Sequence, residues 1–163
     1  MLAKIVRISG RRVRLSEGVQ KRRSGHQTQW AAQFAVASEL CKRGYEVALT
    51  MGNHPTKDIM VSSPGGISFG IDVKGLYKRN YWTVRKKPER DDVFYVFAFV
   101  PDGGSNRYFI LSQSQANEGI DKDFSRARVA ALERGVTDWV EGFSGIAWTF
   151  AEPFEDRWDQ LPS

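Results

Sequence analysis

The triplet Asp72-Val73-Lys74 occurs once as Asp-x-Lys in this chain and closes a run, Ser68 to Lys74, that reads as a strand. Strand alternation sends Ile71 and Val73 to one face and Asp72 and Lys74 to the other, about 7 Å apart along the chain. A carboxylate and an ammonium are thereby presented side by side. If Pro64-Gly65-Gly66 is a three-residue hairpin loop, Ser63 faces Ile67 and, counting outward, Asp58 faces Asp72 with Cβ atoms ~5 Å apart. Two carboxylates so close repel unless a cation joins them, and Mg²⁺ or Mn²⁺, a hard ion on oxygen ligands, suits them. Such a set serves phosphodiester hydrolysis: the ion neutralises a phosphate oxygen and activates water, while Lys74 orients that water or stabilises developing charge. The competing account is a pair of acids relieved by Lys57 and Lys74 in a surface salt-bridge cluster.

These residues need elements to hold them. From Thr28 the pattern is helical, with Trp30, Phe34, Ala37 and Cys41 on one stripe and Lys42-Arg43-Gly44 as a basic last turn and stop, which predicts a helix over 28–43. Gln33 falls on the inward side with Ala37 and Leu40, and Gln29 lies a turn before it. A buried glutamine must find partners, either backbone groups or a metal and its water. Strands are expected at 45–50, 58–62, 68–74, 93–100 and 107–112. The continuous apolar run Val93–Val100 reads as a strand buried on both faces. A second helix is expected over 122–134, with Phe124, Ala127, Ala131 and Leu132 on one side and Gly135 as its stop. The order, helix, three strands, basic loop, two strands, helix and aromatic tail, predicts an α/β or α+β layer with one mixed sheet flanked by helices. Residues 1–27 read as a basic hairpin or arm and 28–163 as one domain.

The 163 residues, 41% hydrophobic and 26% charged, suit one soluble domain rather than a disordered or fibrous chain. The longest apolar run is too short to cross a bilayer, and no signal peptide is evident, so a cytoplasmic protein without a membrane partner is expected. One cysteine and two histidines exclude a disulfide framework and a cysteine-rich zinc site. Any metal must sit on carboxylates. The net charge of +5 favours a polyanionic partner, with basic residues gathered in the first half and acidic ones from Asp138 to Asp159.

The segment Gly75 to Lys87 leaves the end of the Asp72–Lys74 strand and interleaves basic residues with Tyr77, Tyr81 and Trp82. Lys78, Arg79, Arg85, Lys86 and Lys87, with Lys57 nearby, are candidates for phosphate contact, and Trp82 for stacking on an unpaired base. The alternative is a hairpin whose rings pack on the sheet. Cys41 is read as a small buried hydrophobe. His54, in the turn Gly52-Asn53-His54-Pro55, is a loop residue near enough to visit the cleft. The tail aromatics Trp148, Phe150, Phe154 and Trp158 are expected to cover the sheet or a dimer partner.

The run Gln33-Phe34-Ala35-Val36-Ala37-Ser38-Glu39-Leu40 through Arg43-Gly44-Tyr45-Glu46-Val47, then Lys57-Asp58-Ile59, then Ile71-Asp72-Val73-Lys74, resembles the PD-(D/E)XK nuclease superfamily. It is similar in particular to archaeal Holliday-junction resolvases. The resemblance covers residues 28–112 and implies an αβββαβ, restriction-endonuclease-like core. Asp58 then matches the metal-binding aspartate, Asp72 and Lys74 the acid and lysine of the triplet, and Val73 offers its carbonyl to the metal. Gln33 stands where many members carry a glutamate, and Lys57 where they carry proline. The resemblance further implies a Mg²⁺- or Mn²⁺-dependent endonuclease on duplex or branched DNA, a homodimer with no small-molecule cofactor. The other expectation is the same fold, impaired at Gln33, as a module binding nucleic acid or protein.

Overall fold

Ser24 opens the first helix, α1 (Gly25–Lys42), with a capping box: its hydroxyl accepts the Gln27 N–H and the Gln27 side chain accepts the Ser24 N–H. This box starts the helix three residues before the expected Thr28. The computed structural model describes residues 5–8, 11–14, 22–51, 57–138, 140 and 144–163; the turn around His54 lies outside them. At the N-terminus, β1 (Ile5–Ile8) and β2 (Arg11–Arg14) pair as an antiparallel hairpin.

The fold is α+β, built on a mixed five-stranded sheet. Its strands are β3 (Glu46–Leu49), β4 (Ile59–Ser62), β5 (Ser68–Leu76), β7 (Val93–Phe99) and β8 (Arg107–Ser112), in spatial order β3-β4-β5-β7-β8. Only β5 and β7 pair in parallel; the other neighbours are antiparallel. The β4–β5 register, Ser62↔Ser68 to Ile59↔Ile71, is the one counted outward from Pro64-Gly65-Gly66, and Ser63 N–H donates to Ile67 O at 2.9 Å. The parallel crossover from β5 to β7 contains the short β6 (Trp82–Thr83), paired with β9 (Gly145–Ile146), and no helix. The helix that the αβββαβ order would put there comes after β8 instead, as α2 (Gln113–Glu133).

Alternation on the central strands divides the core. Ile71, Val73, Val96, Ala98 and Ile110 join Ala32, Val36 and Leu40 of α1 on one face. Tyr95, Phe97, Phe109 and Leu111 join Ala116 and Ile120 of α2 on the other. The run 93–100 is thus buried on both faces. Among the described residues no helix is long and apolar enough to cross a membrane.

Three expectations are corrected here. The buried stripe of α1 is Thr28, Ala32, Gln33, Val36, Ala37 and Leu40, while Phe34 is 55% exposed and Cys41 is exposed. Size sets this phase: a Cβ on Gly75 would stand 2.7 Å from the Ala32 Cβ, so the helix lies too close to β5 to seat Trp30 or Phe34. Those two rings stack on each other outside, 5.5 Å apart. Second, α2 starts nine residues before 122, at a capping box of Ser112 and Gln115. Its packed residues lie mainly in that unforeseen first half, and Leu132 is exposed. Third, Trp82 is 1% exposed, packed among Phe97, Phe109 and Trp148, so it has no face left for a base. The tail covers the sheet: Trp148, Phe150 and Phe154 on the α2 face, Trp158 on the other.

Candidate functional site

Asp58 sits one residue before β4, where its N–H donates to Ile71 O at 2.8 Å. Its carboxylate turns toward α1 and the backbone of β5. Oδ2 accepts the Val73 N–H at 2.7 Å, and Oδ1 accepts from the Gln33 amide at 2.8 Å. Gln29, one turn earlier, donates to the Val73 carbonyl at 2.8 Å and reaches Asp58 Oδ2 at 3.4 Å. The two glutamines that interrupt the apolar stripe therefore both serve this aspartate, an arrangement that i,i+4 spacing allows. Burial pushes the Asp58 carboxyl above its usual range; the Val73 N–H opposes this, the Asp72 charge adds to it, and Lys74 and Lys87 oppose it.

Asp72, 3% exposed, lies on the other face of β5. Lys87 Nζ is 2.8 Å from its Oδ2. Lys74 Nζ is 2.5 Å from its Oδ1, which has this ion pair and no hydrogen-bond partner. Asp58 thus sits at the Val73 backbone and Asp72 projects from the residue before it, close enough that the Asp72 charge raises the Asp58 pKa. Across the parallel pairing Asp72 neighbours Tyr95, whose hydroxyl burial and the Asp72 charge push upward.

No protein-family model, curated protein or solved structure matches this chain.

Among the described residues no three His, Cys, Asp or Glu side chains gather around one point. The oxygens that could hold a divalent ion are those of Asp58, Asp72 and the Val73 carbonyl. They fit Mg²⁺, which binds through one or two carboxylates and keeps several waters. The buried Asp72 Oδ1 has no hydrogen bond and is met only by the Lys74 ammonium.

The remaining candidates separate by exposure. Lys78, Arg79 and Arg85 are exposed; Lys78 lies over Tyr77, and Arg79 over Trp148 and 3.6 Å from Glu152. Lys86 pairs with Asp121 at 2.6 Å. Lys57 is buried and directs Nζ to Asp92 at 2.9 Å. Lys87, read from sequence as a phosphate contact, reaches Asp72 itself. Asn117 holds it there, accepting the Lys87 N–H at 3.3 Å and donating to the Lys87 carbonyl at 2.9 Å. Nothing in the sequence links Lys87 to Asp72, since the link runs through α2. Glu39, a turn and a half beyond Gln33, pairs with Lys42 and Arg43 away from the site.

Proposed function

We propose that the chain is a metal-dependent endonuclease of the PD-(D/E)XK kind, cutting duplex or branched DNA. The observation that carries this reading is the 2.7 Å hydrogen bond from Val73 N–H to Asp58, which ties the lone aspartate to the backbone of the Asp72–Lys74 triplet. A Mg²⁺ or Mn²⁺ held by Asp58, Asp72 and the Val73 carbonyl supplies charge neutralisation and an activated water. Lys74, 30% exposed, sets its ammonium beside the Asp72 carboxylate, where it would orient the attacking water or stabilise developing charge. Lys87 adds a second positive charge against the same carboxylate. Lys78, Arg79 and Arg85 give the segment that leaves β5 a basic surface for phosphates. In this reading the non-helical crossover stands where the family's core has a helix, and a homodimer supplies the second site that paired incision requires.

One observation favours the second reading, a binding module without catalysis. The two lysines and two glutamine amides already answer the Asp58 and Asp72 charges from within the chain. Cleavage of plasmid, four-way junction, single-stranded DNA and RNA in Mg²⁺, Mn²⁺ or EDTA separates the two. The nuclease reading expects metal-dependent cutting that falls at least about a hundredfold in Asp72→Ala and Lys74→Ala. No cutting of any substrate by folded wild type, together with no Mn²⁺ uptake by calorimetry, establishes the binding module.

A further inference from the structure

Among the described residues, three buried side-chain atoms lack a hydrogen bond: Asp72 Oδ1, the Tyr95 hydroxyl and Gln113 Oε1. Asp72 Oδ1 is met by the Lys74 ammonium, and all three residues neighbour Lys87. Lys87 pairs with Asp72, lies 5.8 Å from the Tyr95 ring centroid, and shares a cavity wall with Gln113. Buried polar atoms in native proteins are almost always paired, so the unpartnered Gln113 amide oxygen, on a residue that lines a cavity, marks a place where a ligand donor would be accepted.

The cavity encloses about 470 Å³ and is lined by Lys87, Pro88, Arg90, Val93 and Gln113. Gln113, 2% exposed, donates through Nε2 to the Pro88 carbonyl at 2.6 Å. A carbonyl only accepts, which fixes the orientation of the amide and leaves Oε1 waiting for a ligand N–H. Pro88 and Val93 make the wall apolar. The Arg90 guanidinium is held flat by two hydrogen bonds to Asp92, both 2.8 Å, and is half-exposed. A fixed guanidinium plane is a surface on which a base stacks. Lys87 stands between the cavity and Asp72, and draws any attached anion to that side. A neighbouring cleft beyond Arg90 carries Glu89 and Asp91, which repel phosphate and so set the direction.

A flat body, an N–H donor and an attached anion together describe a nucleobase on its strand. In a duplex the base is stacked and its donors are engaged, so it cannot enter. We infer that this cavity receives an unpaired nucleobase of the strand whose backbone lies at Asp72 and Lys74. The substrate is then nucleic acid with a single-stranded or branched position. The placement of the backbone rests on the nuclease reading; the base pocket does not.

The test is binding in EDTA, where cleavage cannot interfere. Fluorescence anisotropy compares thymidine hexamers, uridine hexamers and abasic hexamers of equal phosphate number, on wild type, Gln113→Leu and Arg90→Ala. Wild type is expected to bind a base-bearing hexamer, of either sugar, at least about fivefold tighter than the abasic one. Both variants should lose most of that preference while keeping abasic binding. Arg90 is exposed, so its variant decides the matter should Gln113→Leu melt early. Equal affinity of wild type for base-bearing and abasic strands overturns the inference, as does a preference that survives in Arg90→Ala. Wild type that prefers bases in EDTA yet cuts nothing with Mn²⁺ supports the pocket and defeats the nuclease reading.

Discussion

Val73 donates its backbone N–H to Asp58 Oδ2 over 2.7 Å, so the side chain that precedes one strand is locked to the main chain between Asp72 and Lys74 on the next. The other Asp58 oxygen takes its donor from Gln33, which is 5% exposed. In Gln33→Glu that donor becomes a second carboxylate in a buried place, where like charges disfavour ionisation. Without divalent ions the variant is expected to lose about 1–3 kcal/mol. With Mn²⁺ its melting temperature should rise further than that of wild type. Thermal scans with and without the ion check this; a variant indifferent to Mn²⁺ counts against metal at Asp58.

Gly75 governs how closely α1 approaches β5. An added Cβ would meet the Ala32 Cβ at 2.7 Å and the Thr28 carbonyl oxygen at 3.0 Å, and neither is a flexible side-chain end. Gly75→Ala therefore forces α1 outward and carries Gln29 and Gln33 away from Asp58. The expected cost is about 1–3 kcal/mol in urea unfolding, at unchanged denaturant slope.

The hairpin that brings Asp58 to β5 was legible because Pro64-Gly65-Gly66 fixes a turn and the turn fixes the register. The strand at 93–99 was legible from its unbroken apolar run. The phase of α1 was not, because a stripe chosen by hydrophobic size favours Trp30 and Phe34, whereas the close approach at Gly75 admits only small residues. The start of α2 was hidden by its polarity. Gln113 and Asn117 look like surface residues, yet both are buried to hold residues 87 and 88. That purpose exists only in the tertiary structure, and with it the position of Lys87.

Asn117 supplies both hydrogen-bonding groups of its amide to the Lys87 backbone. Asn117→Ala leaves a buried N–H and carbonyl without partners and frees the residue that pairs with Asp72. A loss of about 1–3 kcal/mol is expected, with faster hydrogen exchange at the Lys87 amide. Asn117→Asp keeps the acceptor and loses the donor, and should fall between. An exchange rate unchanged in Asn117→Ala would mean that α2 does not position Lys87.

The aromatic tail is fastened to β8 by Arg107, which makes two hydrogen bonds to Glu155 at 2.6 and 2.7 Å beneath Trp148. The Arg107 guanidinium holds the Glu155 carboxyl below its usual range. A carboxyl so lowered binds more protons unfolded than folded, so its contribution is present above the ordinary glutamate value and fades as pH falls through the lowered one. Both side chains are about one-third exposed, and solvent screening limits the pair to about 1 kcal/mol or less. Tryptophan emission followed through an acid titration should report the tail loosening in that window. In Glu155→Gln the transition should lose this component and its salt dependence. A titration curve identical in both proteins would show that ring packing, not the ion pair, holds the tail.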